Sequence, residues 1–235
     1  TTIQLVSLRY TSTASSKTAS FRSHFCGGSI LNEKYIVTAA HCISENDTRI
    51  ISALVGTKDL RKDSEGKRSL IESCVIHPDY VELNNSDVAV CRLKTPLTFG
   101  INVTPIKLSK EYIGGGEECT LSGWGYTTMI RGMPLALLLP LQSVLPSALP
   151  NELQHATLPT MTNEECNNCG HKVGPKEICT RSRFGQGACG GDSGGPLWCK
   201  GALTGIVSYG TTVCAISMPD VYTRASEFVG EDKKS

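Results

Sequence analysis

The chain has 235 residues, enough for one large domain or two small ones, and 40% hydrophobic with 19% charged residues is a globular composition. Its 23 basic and 22 acidic residues leave a net charge of +1, which gives no bulk field for holding nucleic acid or an acidic membrane surface. Eleven cysteines point to disulfides and an oxidising compartment.

Taken in chain order, Ile3 to Arg9 alternates as a strand, and Thr11 to Ser23 is a polar loop rich in Ser, Thr and Ala. His24 to Ile30 leads through a second strand to Tyr35-Ile36-Val37-Thr38-Ala39-Ala40-His41-Cys42. Arg49 to Val55 and Ser69 to Ile76 are short β-branched runs with charged turns between them, the pattern of an all-β barrel or sandwich. Asp59, Asp63 and Glu65 in the intervening loop are interleaved with Arg61, Lys62, Lys67 and Arg68, so no metal site is expected there. Val103 to Gly116, with Pro105 and three consecutive glycines, is the expected crossing between two halves. The expected division is 1–108 and 109–235. Met133 to Pro150 is unusually apolar, but four prolines break it. It is either an irregular insertion or an exposed patch that contacts a partner or shields a cleft. No apolar run is long enough to span a bilayer. Asn46, Asn84 and Asn102 stand in N-x-S/T sequons, in keeping with a secreted glycoprotein.

The chemistry concentrates in Gly187-Ala188-Cys189-Gly190-Gly191-Asp192-Ser193-Gly194-Gly195-Pro196-Leu197. Five glycines in this stretch write a tight loop that holds Ser193 exposed. A serine hydroxyl attacks poorly unless a base takes its proton. His41, beside Cys42, and Asp87, at the mouth of the apolar run Val88-Ala89-Val90, are the residues of the right kind. The words TAAHC, SDVAV and GDSGGPL occur in the order His, Asp, Ser, together with Ser122-Gly123-Trp124-Gly125 and Ile206-Val207-Ser208-Tyr209-Gly210. In these words the chain resembles the chymotrypsin-like serine proteases from about Gln4 to about Phe228, most of all the arthropod, particularly insect, enzymes.

The resemblance implies two Greek-key antiparallel β-barrels packed face to face, with the site between them. His41, Asp87 and Ser193 would then be the triad, and the N–H groups of Gly191 and Ser193 the oxyanion hole. Ser208 would hydrogen-bond Asp87, while Ser208, Tyr209 and Gly210 would pair with substrate as an added strand. It places Gly187 at the floor of the specificity pocket and Gly210 at its entrance, which favours large hydrophobic P1 side chains. Asp220 complicates this: its carboxylate would attract a basic P1 and give mixed specificity, or would be satisfied internally by backbone. The family pairs Cys26–Cys42, Cys119–Cys199, Cys189–Cys214, and Cys179 with either Cys166 or Cys169. Cys74 and Cys91 are candidates for an extra bridge, which leaves one thiol over. No organic cofactor is implied, the family is mostly monomeric, and its partners are protein or peptide substrates and protein inhibitors.

Two departures set up a competing expectation. Active members present an Ile-Val-Gly-Gly-like amino end to the aspartate beside the serine, whereas this chain starts at Thr1-Thr2, as a processed or partial form would. The chain also reaches Gly230 soon after Phe228-Val229, so the family's C-terminal helix is expected to be short or missing. On the competing view the protein is a zymogen-locked or non-catalytic homologue acting as a binding protein. His24 would then pair with Asp192 in the activation pocket.

Overall fold

Short strands of β-branched and aromatic residues between polar turns give, among the described residues, twelve strands and almost no helix. The computed structural model describes residues 4–11, 23–43, 49–81, 86–127, 149–211 and 213–230. Strands β1 (Leu5–Thr11), β2 (His24–Ile30), β3 (Tyr35–Thr38), β4 (Ile50–Val55), β5 (Lys67–Ile76) and β6 (Ala89–Leu93) close a barrel in the order β1-β2-β3-β6-β5-β4. Strands β7 (Glu118–Gly123), β8 (Gln154–Met161), β9 (Glu177–Arg181), β10 (Pro196–Cys199), β11 (Ala202–Tyr209) and β12 (Pro219–Arg224) close a second, ordered β10-β11-β12-β9-β8-β7. Read in reverse, that order repeats the first barrel strand for strand. The pairings are antiparallel, and closure leaves neither sheet an open edge.

Period-two patterning decides which side chains enter each barrel. On β6, Ala89, Cys91 and Leu93 are buried while Val90 and Arg92 face out. Strand β1 is buried on both faces. Val6 and Leu8 join the first barrel's core, whereas Leu5 packs on Leu54, Leu60 and Trp124. The first core also takes in Leu203, Ile206 and Ala225 from the second half, so the seam between barrels is itself apolar. Polar bonds cross it too: Leu203 N–H donates to Lys107 O at 2.7 Å, and Thr223 Oγ1 donates to Asp87 O at 2.8 Å.

Five disulfides staple the barrels from within: Cys26–Cys42, Cys74–Cys91, Cys119–Cys199, Cys166–Cys179 and Cys189–Cys214. Cys74 and Cys91 face each other directly across β5 and β6. Helix α1 (Asn163–Asn168), opened by a Thr162–Glu165 capping box, resolves the choice for Cys179. It buries Cys166 completely and leaves Cys169 exposed as the free thiol.

Past β12 the described chain makes one 3₁₀ turn, Ala225–Glu227, before Gly230. Arg224 at its head is almost wholly buried and donates to Ile113 O, Pro175 O and Glu177 O at 2.6, 3.0 and 2.9 Å. It ties two segments, the one around Ile113 and the one from Pro175 into β9, to one cation. Of the sequons, Asn102 is exposed beside Ile101, while Asn46 and Asn84 lie outside the described residues. So do the loop 12–22 and most of the apolar stretch, 128–148.

Candidate active site

His41 sits in a 3₁₀ turn, Ala40–Cys42, at the end of β3, braced by the Cys26–Cys42 bridge. Asp87 precedes β6 and is buried. Its Oδ1 accepts from the His41 backbone N–H at 3.0 Å, and its Oδ2 meets His41 Nδ1 at 2.7 Å. Ser208 Oγ, reaching across the seam from β11, donates to the same Oδ2 at 2.5 Å. Burial works to raise the Asp87 pKa, but the hydrogen bonds from His41 and Ser208 outweigh it and hold the carboxyl below its ordinary range. An ionised Asp87 is an acceptor only, so the imidazole must carry its proton on Nδ1 and present a bare Nε2.

The Ser193 loop is locked onto the His41 loop through glycine. Gly27 N–H donates to Ser193 O at 2.7 Å, and Thr38 Oγ1 donates to Gly27 O at 2.8 Å. Gly194 has φ +77°, and a Cβ there would sit 2.1 Å from Thr38 Oγ1. Among the described residues Ser193 Oγ makes no hydrogen bond to His41. Such contacts tighten when substrate is bound. Gly191 has φ +97°, a region that strongly favours glycine. The N–H groups of Gly191 and Ser193 donate to no acceptor among the described residues. Leu149, at the described end of the apolar stretch, reaches within 3.3 Å of where a Gly191 Cβ would stand.

Asp192 and His24 do not pair as the zymogen-like expectation required. Asp192 turns its carboxylate onto the Ser122–Gly125 segment, where Cβ atoms on Gly123 or Gly125 would collide with it. It accepts from Gly125 N–H at 2.8 Å and Cys189 N–H at 3.0 Å. Burial lifts its pKa to about 6. His24 instead spends both ring nitrogens elsewhere: Nδ1 lies 2.9 Å from Ser7 Oγ, and Nε2 lies 2.9 Å from Gly191 O.

The Cys189–Cys214 bridge ties the Ser193 loop to the segment after β11, and Asp220 lies against both Gly187 and Gly210. Asp220 Oδ2 accepts from Ala188 N–H at 2.8 Å and lies 2.8 Å from where a Gly187 Cβ would be. Oδ1 lies 3.0 Å from the corresponding point at Gly210 and accepts no hydrogen bond among the described residues. A side chain at 187 would therefore have to displace the Asp220 carboxylate or Ser182. Burial, aided by the nearby Asp192 carboxylate, pushes the Asp220 pKa up to about 7. Tyr209 is the last residue of β11, its hydroxyl 3.3 Å from Glu177 Oε1. In the loop between β4 and β5, Arg61 grips Asp59 at 2.7 Å, and that hydrogen bond lowers the aspartate's pKa to about 2.

Sequence reasoning missed two residues of this region, Ser7 and Arg9 of β1, both fully buried. Arg9 Nε donates to Ser7 Oγ at 3.2 Å, and Arg9 Nη2 donates to Leu60 O at 3.1 Å. An arginine at the same parity as Leu5 and Ser7 in an otherwise buried strand was the available signal.

Comparison with known proteins agrees with this geometry. The Trypsin family model matches residues 5–230. Chymotrypsin-2 of Vespa crabro is 32% identical over 209 residues, covering 88% of this chain and 86% of its own. Brachyurin of Leptuca pugilator is 32% identical over 210 residues, covering 88% and 85%. Among solved structures, neuropsin, a serine protease expressed in the limbic system of mouse brain, superposes with a TM-score of 0.77 at 26% identity, covering 96% of this chain and 91% of its own. The chain belongs to the trypsin family of chymotrypsin-like serine endopeptidases.

Proposed function

We propose that the protein is a secreted, monomeric endopeptidase that cleaves after large hydrophobic residues and admits a basic P1 side chain as Asp220 ionises. The observation that carries the catalytic part is the Asp87–His41 pair, ordered at three hydrogen bonds and set against a glycine-locked Ser193 loop with two unspent N–H donors. Ser193 Oγ attacks the substrate carbonyl carbon while His41 Nε2 takes its proton. The carbonyl oxygen becomes an oxyanion held by the Gly191 and Ser193 N–H groups. Such donors are each worth roughly 3–4 kcal/mol of barrier. Collapse breaks the C–N bond, and the amine leaves with the proton from His41. Water, deprotonated by His41, then releases the acyl group. Ser208 to Gly210 give the substrate backbone, or an inhibitor loop, a strand to pair with. The five disulfides and the exposed Asn102 sequon support the secretory route.

A fluorophosphonate should label the active protein once, on the peptide spanning Gly187 to Leu197, and labelling elsewhere or not at all overturns the triad assignment. The specificity reading makes a second prediction. Below pH 7 the Asp220 carboxyl is protonated and the pocket is neutral; above it the carboxylate attracts Lys or Arg. The ratio of kcat/KM for P1 Arg to that for P1 Phe should rise about tenfold between pH 6 and pH 8, tracking the ionised fraction. Because the same triad serves both substrates, the ratio cancels whatever acts on both alike. Asp220→Asn should flatten the ratio, and a ratio that stays pH-dependent in that variant overturns the role of Asp220.

A further inference from the structure

Strand β1 carries a buried guanidinium that the peptidase mechanism does not use. A bulge in the β1–β2 ladder sets Arg9 opposite His24. From Arg9 a line of hydrogen bonds runs through Ser7 and His24 to Gly191 O, at 3.2, 2.9 and 2.9 Å. Its direction is fixed by donor chemistry. A guanidinium has no acceptor, so Arg9 Nε–H donates to Ser7 Oγ. The single Ser7 hydroxyl proton then goes to His24 Nδ1, which must be bare. The ring proton stands on Nε2 and is donated to the Gly191 carbonyl.

We infer that Arg9 is a positioning residue for the oxyanion loop, acting through Ser7 and His24 to hold the Gly191–Asp192 peptide in place. That peptide is pinned at both faces, since Asp192 N–H also donates to Cys189 O at 2.9 Å. Without the His24 bond, Gly191 would be free to turn at its positive φ and swing its own N–H out of register. The charged group that acts on His24 is Arg9 on β1; Trp124, which packs edge-on at 5.9 Å, is neutral. Burial first, and then the charge of Arg9, opposes protonation of His24, whereas its bond to Gly191 favours it; the net pKa is about 4. A proton arriving on Nδ1 would face Ser7 Oγ and reverse the line.

The inference rests on the endopeptidase reading, and its test separates the two. In active enzyme labelled with ¹⁵N-histidine, His24 should be the neutral Nε2–H tautomer down to pH 5. In Arg9→Met it should titrate higher than in the wild type. At pH 6.5 kcat should fall about tenfold, a fraction of the loss from deleting an oxyanion donor, with KM changed less than twofold. Arg9→Lys, which keeps a cationic donor, should recover most of kcat. An unchanged His24 titration in Arg9→Met, or an unchanged kcat, overturns the inference. If Arg9→Met does not fold, Ser7→Ala cuts the same line one link further on and is read by the same two measurements. If the wild type labels with no fluorophosphonate, the peptidase reading has failed, and the His24 titration alone decides the relay.

Discussion

Ser193→Ala is expected to lower kcat by about six orders of magnitude while leaving KM within a few-fold, the signature of a lost nucleophile rather than a lost binding contact. Residual turnover would come from the Gly191 and Ser193 N–H groups, which alanine keeps. Stability should hardly change. Ser193 Oγ has no hydrogen bond among the described residues, and the loop is held through the Ser193 carbonyl, so removing the hydroxyl strands no buried partner. The check is single-turnover kinetics on an amide substrate beside thermal unfolding. Because the three residues work as a unit, adding His41→Ala to Ser193→Ala should cost little more. Turnover within a hundredfold of wild type, with the melting temperature unchanged, would remove Ser193 from the mechanism.

Asp87→Asn should cost about four orders of magnitude in kcat, the loss already known for this exchange elsewhere in the family. Asp87 Oδ2 accepts from both His41 Nδ1 and Ser208 Oγ. An amide brings a donor to one side of that arrangement. If its NH₂ group faces His41, Nδ1 must become the acceptor and the ring proton moves to Nε2. Nε2 then has no lone pair for the Ser193 proton. The fold should survive, since the shape is kept and the second oxygen still accepts from His41 N–H. Measuring kcat from pH 6 to pH 10 and reading the tautomer by ¹⁵N shifts tests both halves. Loss of kcat with the Nδ1–H tautomer intact would point to charge rather than proton placement.

What could be read from the sequence follows from how the site is built. TAAHC, SDVAV and GDSGGPL are legible because each encodes local sterics: Gly194 packs where any Cβ would strike Thr38, and Asp87 sits at the start of an alternating strand. The barrels are legible because their strands alternate, as β6 does. The partner of His24 was not. Whether it faces Asp192 or the Gly191 carbonyl depends on where a loop far along the chain turns its carboxylate, and no local spacing encodes that. Arg9 was only weakly signalled by its parity with Leu5 and Ser7: an arginine on a strand reads as solvent-facing until β1 is seen to be covered on both sides. The choice between Cys166 and Cys169 depended on which face of α1 meets β9.

All five disulfides lie within one barrel or the other, and none crosses the seam. His41 and Asp87 therefore belong to one covalently stapled module, and Ser193 and Asp220 to another. Apart from the single chain crossing, only noncovalent packing assembles the working site. Shape and activity are thus separable properties of this molecule. A denaturant that parts the modules silences the enzyme while each keeps its own cysteine pairing, so recovery requires redocking and no disulfide exchange.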